Sequence, residues 1–141
     1  KNKTWQEQES RKNPVEYDYK VFAINWDREK LYERINKRVD IMLEKGLIDE
    51  VKNLLNMGYS KDLVSMQGIG YKEIIKYLDG EYTYDEAIEV IKRDSRRYAK
   101  RQITWFKRYE SAKWFNLDEY NDFNILEKDV LTYIENKIKL V

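Results

Sequence analysis

Apolar positions recur along this chain with two periods, and the switches between them mark out its elements. Residues 19–26, YKVFAINW, are nearly continuous in apolar, β-branched and aromatic character. Such a run predicts a strand buried on both faces, as in a parallel sheet. Asp27 follows at an N-cap position, and from Arg28-Glu29-Lys30 onward Leu31, Ile35, Val39 and Met42/Leu43 repeat at helical spacing up to Gly46. Glycine there is a natural helix stop. Leu47, Val51, Leu54 and Leu55 predict a second helix ending at Gly58, and residues 59–65 read as a connector. Gly68 and Gly70, the one closely spaced glycine pair, lead into a short helix over 72–78 closed by Asp79-Gly80. Thr83 stands three residues before Glu86, the spacing of a capping box, and the helix it opens is expected to reach about Arg108. Residues 113–116, KWFN, predict a short strand, and 124–140 a final amphipathic helix. The fold class is α/β but predominantly helical, with about six helices and one or two strands.

Composition narrows the chemistry. The 141 residues suffice for one domain with a core. Residues 1–14 are polar and begin with Lys, so they read as a tail or severed linker, leaving 15–141 as the domain and implying a longer polypeptide. The chain has no cysteine and no histidine. That excludes disulfides, Cys or His zinc sites, thiol nucleophiles, Ser-His-Asp triads and histidine bases. Charged residues make up 38%, mean hydropathy is −0.87, and no apolar run is long. Neither a membrane span nor a secretory signal is therefore expected, and the expected location is the cytoplasm.

Net charge is only +1, from 27 basic and 26 acidic residues, but the charge is unevenly placed. Residues 91–108, IKRDSRRYAKRQITWFKR, hold eight bases and one acid, Asp94. At about 100° per residue, Arg93, Arg97, Lys100, Arg101, Thr104, Lys107 and Arg108 share roughly a third of the helix circumference. Tyr84, Ala87, Ile88, Ile91, Tyr98, Gln102, Trp105 and Phe106 lie on the opposite arc, which makes Trp105 and Phe106 core candidates. A helix of this kind tracks nucleic-acid phosphates, with Gln102 and Thr104 near enough to touch sugars or bases. The competing readings are a solvated face paired with acids elsewhere, and a protein-interaction face for an acidic partner.

Around Gln67-Gly68-Ile69-Gly70-Tyr71-Lys72, free N–H groups at a helix start plus Lys72 form a small anion site. Equally, this is an ordinary loop needing positive φ twice. Neither GxxxxGK[ST] nor GxGxxG occurs. Arg34 and Arg38 share a helix face and are candidates for a phosphate clamp, although pairing with nearby acids is the blander expectation. Asp40/Glu44 and Asp49/Glu50 read as ion-pair partners of neighbouring lysines rather than as catalytic carboxylates.

Three blocks in register carry a resemblance. Asp27-Arg28-Glu29 with Leu31-Tyr32, Arg34-Ile35, Arg38-Val39-Asp40 and Gly46-Leu47 form the first. Gly68-Ile69-Gly70-Tyr71-Lys72-Glu73 with Leu78 and Gly80 form the second. Ser95-Arg96 and Tyr98-Ala99-Lys100-Arg101-Gln102-Ile103-Thr104-Trp105-Phe106 form the third and most specific. Over residues 20–116 the chain resembles the C-terminal part of the tRNA dimethylallyltransferases, or tRNA isopentenyl transferases. Ser95 stands where that family usually has Thr, and Lys107 where it commonly has Arg.

The resemblance implies a P-loop-kinase-like parallel-sheet core with a helical insertion before this segment. It implies transfer of a dimethylallyl group from dimethylallyl pyrophosphate to the exocyclic amine of the adenosine 3′ of the anticodon. The phosphate loop, the general base and the Mg2+ site are expected in the half of such enzymes that this chain does not match, so the chain alone is expected to be inactive. The implied partner is a tRNA anticodon stem-loop, bound by a monomer. The implied tRNA-binding residues are Gln67, Gly68, Ile69, Gly70, Tyr71 and Lys72, with Lys100, Arg101, Gln102, Ile103, Thr104, Trp105, Phe106 and Lys107; Arg97 joins them from the basic face of the helix. The alternative is a stand-alone helical RNA- or DNA-binding module without catalysis.

Overall fold

A computed structural model describes residues 19–135. The tail expected over 1–14 and the end of the final helix, 136–141, lie outside the described residues. The described residues form two compact units, 25–110 and, together, 19–24 with 111–135.

The first unit is helical. Helix α1, Arg28–Glu44, is followed after Gly46 by α2, Leu47–Asn56. A 3-10 turn at Val64–Gln67 leads to α3, Tyr71–Leu78, and then to α4, Tyr84–Phe106. The apolar repeats read from the sequence converge on one core. Val39 of α1, Leu47 and Val51 of α2, Met66 of the 3-10 turn, Ile74 and Ile75 of α3 and Ile91 of α4 are all buried together. Helix α4 packs along α1 and α3. Its start is fixed as expected: the Thr83 hydroxyl accepts from the Glu86 N–H at 3.3 Å, and the Glu86 carboxylate accepts from the Thr83 N–H at 2.7 Å. The Thr83 N–H, joined by the Thr83 hydroxyl donating to the same carboxylate at 2.9 Å, holds the Glu86 carboxyl below its ordinary range. The helix stops two residues short of Arg108 because its last turn tightens: Arg108 donates to the Trp105 carbonyl and Tyr109 to that of Phe106.

The second unit, described over residues 19–24 and 111–135, carries the sheet. Strands β1, Phe22–Asn25, and β2, Lys113–Asn116, pair in parallel, and the Lys113 N–H donates to the Val21 carbonyl at 3.0 Å. Helix α5, Phe123–Glu135, buries Leu126, while Phe115 of β2 is buried between the edges of Phe22 and Tyr133. The strand expected over 19–26 is shorter and not buried on both faces: Phe22 and Ile24 are 39% and 48% exposed. Burial alternates along the strand, so among the described residues one of its faces is left exposed. The observed total among described residues is five α-helices, two 3-10 turns and two strands.

Candidate nucleic-acid interface

The cationic run on α4 divides into a compensated half and an uncompensated half. Lys92, mostly buried, meets Asp40 of α1 at 2.7 Å. Arg93 donates to Asp94 at 2.9 Å, and Arg97 approaches the same carboxylate at 3.5 Å. These guanidinium groups, Arg93 above all, hold the Asp94 carboxyl below its ordinary value. Arg96 donates to the Asn36 side-chain carbonyl at 2.6 Å. Beyond Arg97 the pairing stops. Among the described residues Lys100, Arg101, Lys107 and Arg108 meet no carboxylate within 4 Å; Arg101 only lies over the Tyr98 ring at 5.7 Å. The solvated-pair reading therefore holds for the first half of the run and fails for the last turns.

Thr104 sits among the unpaired cations. Its hydroxyl donates to the Lys100 carbonyl at 2.9 Å, which leaves the oxygen free to accept. Trp105 and Phe106, expected in the core, are 49% and 43% exposed. They pack edge-to-face on each other at 5.1 Å, and Trp105 packs likewise on Tyr109 at 5.4 Å. Of the 23 residues of α4 only Ala87 and Ile91, both in its first half, are fully buried, so its C-terminal half extends beyond the buried core.

The glycine turn is built differently from its sequence reading. Gly68 has φ −64° and needs no special freedom; only Gly70, at φ +102°, lies in a region that favours glycine. The expected anion site is already filled by the chain's own carboxylate. Glu73, 2% exposed, accepts the Gly70 N–H at 2.8 Å and draws the Lys72 ammonium to 3.4 Å. The Gly68 carbonyl accepts from the Lys72 N–H, and the Gln67 amide donates to the Lys61 carbonyl at 2.7 Å, pinning the connector. Tyr71 donates its hydroxyl to Glu50 of α2, which raises its pKa above the ordinary value.

Three hollows border these residues. A cleft of about 530 Å³ between α1 and α4 has a floor of Ile35, Val39, Met42, Ile69 and Ala99, with Arg38, Ser95, Tyr98 and Gln102 around it. It brings Arg38, Ile69 and Gln102, from all three sequence blocks, to one place. A second hollow, of about 430 Å³, is lined by Arg97, Lys100, Arg101, Thr104, Trp105 and Arg108. A third, of about 300 Å³, joins Lys100, Ile103, Thr104 and Lys107 to Asn25, Trp26, Arg28, Leu31 and Tyr32. Arg34 and Arg38 do not take the acid partners expected of them. Arg34 lies over the Trp26 ring at 4.9 Å, and Arg38 faces the cleft without a carboxylate among the described residues. Phe106 lines none of the three hollows.

Trp26, Arg28 and Tyr32 had no place in the sequence reading of the site. The signal was present: a strand ending at Asn25 followed at once by a helix puts residues 25–28 at the carboxyl end of a strand, where α/β folds bind ligands. Among the described residues no three carboxylates lie close enough together to hold a metal ion. No described helix is long and apolar enough to cross a membrane.

Uncompensated cations, an accepting hydroxyl and half-exposed aromatics gather on one overhanging helix, carried on a mostly helical piece of an α/β fold. Comparison with known proteins gives the chain a lineage. The profile of the IPP transferase family matches residues 1–109, and the chain belongs to that family. The tRNA dimethylallyltransferase of Clostridioides difficile is 65% identical over 124 residues, which are 88% of this chain and 40% of that protein. That of Acetivibrio thermocellus is 54% identical over 91% of this chain and 41% of its own length. The crystal structure of the tRNA isopentenylpyrophosphate transferase of Bacillus halodurans superposes with a TM-score of 0.81 at 43% identity, covering 91% of this chain and 42% of that one. The chain thus spans about two-fifths of the length of the relatives it matches.

Proposed function

We propose that this chain is the C-terminal, tRNA-binding part of a tRNA dimethylallyltransferase that works on the anticodon stem-loop in the cytoplasm as a monomer. In the reaction, the exocyclic amine of the adenosine 3′ of the anticodon bonds to the allylic C1 of dimethylallyl pyrophosphate. The C1–O bond breaks, pyrophosphate leaves with its electron pair, and the amine gives a proton to a base. The residues of this chain hold and orient the RNA while the phosphate loop, base and Mg2+ site reside in the remainder of the enzyme.

One observation carries the reading: Lys100, Arg101, Lys107 and Arg108 have no carboxylate partners among the described residues and flank Thr104 on the overhanging end of α4. Such cations gain affinity by displacing counterions from phosphates, whereas a cation already on a carboxylate gains less. Arg97, Ile103 and the exposed rings of Trp105 and Phe106 extend the same surface, and Gln102 contributes from the α1–α4 cleft. The turn from Gln67 to Lys72, with Gly68, Ile69, Gly70 and Tyr71, meets the RNA as a rigid edge rather than as an anion hole, since Glu73 fills that position. Arg34 and Arg38 serve as phosphate contacts beside the α1–α4 cleft.

The test is a fluorescence titration of the chain with an anticodon stem-loop carrying adenosine 3′ of the anticodon, beside a hairpin of equal length with a scrambled loop, at two salt concentrations. Tighter, salt-sensitive binding to the anticodon loop is expected. Equal affinity for both hairpins refutes recognition by this chain and leaves a generic cationic helix.

A further inference from the structure

We propose that the hollow between the start of α1 and the end of α4 is a subsite for one backbone phosphate and its ribose in the bound RNA, with Arg28 as the cation that α1 contributes. Three cations face it: Arg28 from the first turn of α1, and Lys100 and Lys107 from α4. No carboxylate lines it, and among the described residues none of the three forms an ion pair. The partner found for Arg28 is the face of Tyr32, 5.4 Å away, which holds the guanidinium over a ring without neutralising it. Like charges converging on one hollow repel, and an anion placed among them relieves that repulsion.

The rest of the lining fits a sugar-phosphate. Trp26, Leu31, Tyr32 and Ile103 form an apolar floor that thins the water and strengthens each charge–anion contact. The Thr104 hydroxyl gives its proton to the Lys100 carbonyl, so toward the hollow it can only accept. A ribose 2′-OH is a donor that deoxyribose lacks. At about 300 Å³ the space equals about ten water volumes. The same chemistry would suit free pyrophosphate, but the accepting hydroxyl and apolar floor favour a phosphate with its sugar attached.

The inference rests on the proposed RNA contact of α4 for Lys100, Thr104 and Lys107, and adds Arg28, Asn25, Trp26 and Tyr32 to it. The experiment compares Arg28→Gln and Arg28→Lys with Lys52→Gln, a control lysine on α2 next to Asp49. Each full chain is titrated with the anticodon hairpin, the scrambled hairpin and a DNA hairpin of the same sequence, over a range of salt and with inorganic pyrophosphate as competitor at constant ionic strength. For Arg28→Gln, the slope of log affinity against log salt should shrink by about 0.7–0.9. The two RNA hairpins should weaken by the same factor, because a backbone contact reads no sequence. Arg28→Lys should restore most of the slope, Lys52→Gln should leave it unchanged, and the loss should be smaller on DNA. An unchanged slope in Arg28→Gln overturns the subsite. So does displacement of RNA by pyrophosphate in the native chain that Arg28→Gln abolishes, which would assign the hollow to the free anion. If the native chain binds both RNA hairpins equally, anticodon recognition fails while the slope still reads the subsite; if it binds neither, both readings fall.

Discussion

Reversing Lys100 and Arg101 to glutamate removes two of the four uncompensated cations of α4 while leaving its compensated half intact. Each cation that meets a phosphate contributes about 0.7–0.9 to the slope of log affinity against log salt. The four together contribute about −2.8 to −3.6 to that slope, a factor of roughly 50–150 between about 50 and 200 mM salt. The remaining two contribute only about −1.4 to −1.8, a factor of about 7–12 over that range. The two new carboxylates also repel the backbone, so the low-salt affinity should drop as well. Both positions are exposed, and Glu, Lys and Arg have similar helix propensities, so the fold should survive, losing little beyond the Arg101–Tyr98 contact. The assay is fluorescence anisotropy on a labelled hairpin, with thermal unfolding as the control. Arg93→Gln supplies the contrast. Its guanidinium already lies 2.9 Å from Asp94, so its slope change should be well below that of Arg101→Gln. Equal changes in the two single variants would refute the division of the helix into spent and available charge.

The two glycines of the turn should respond differently. Gly70→Val forces a side chain to φ +102°, where the nearest obstacle to a new Cβ is Leu47 at 3.9 Å; the cost is backbone strain of about 1–3 kcal/mol, read as a lower urea midpoint. Gly68→Ala, at φ −64° and with its Cβ 3.4 Å from the Ser65 carbonyl, should change that midpoint little. Glu73→Ala strips the Gly70 N–H of its acceptor and should destabilise by about 1–3 kcal/mol, while Glu73→Gln, which keeps a carbonyl oxygen, should recover part of the loss in the same urea titration. In Asp94 the folded pKa lies below its ordinary 3.8, chiefly through the Arg93 hydrogen bond. Its contribution to stability is therefore present above that ordinary value and lost as pH falls through the lower folded one. Asp94→Asn should flatten the acid limb of a plot of thermal midpoint against pH.

The split between paired and unpaired bases also bears on how the surface works. A helix with eight free cations would hold any polyanion along its whole length. Here Asp40, Asn36 and Asp94 occupy the first four bases, so attraction concentrates on the end that overhangs the core, beside Thr104 and the hollow reached by Arg28. Glu73 acts similarly at the turn, converting a helix start that would attract anions into a closed, rigid edge. In both places a buried or half-buried acid subtracts from a surface that composition alone makes look uniformly attractive.

What the sequence determined by itself was local. Hydrophobic spacing sufficed for α1, α2 and α4, the Thr83/Glu86 capping box for the start of α4, and KWFN for β2, because each depends on neighbours within a few residues. The cationic character of residues 91–108 and the three family blocks were equally legible. Tertiary structure decided the rest. Whether a base on α4 is spent depends on α1 lying beside it, since Asp40 and Asn36 are remote in sequence from Lys92 and Arg96. Burial of Trp105 and Phe106 could not be settled by their place on the apolar arc, because a 23-residue helix outruns the core it packs on. Arg28 meets Lys100 and Lys107 only through the approach of two helix ends. Periodicity fixes which face of a helix turns inward. It carries no information on which turns have an acid of a neighbouring element beside them, and where those acids stop the charges of this chain become available.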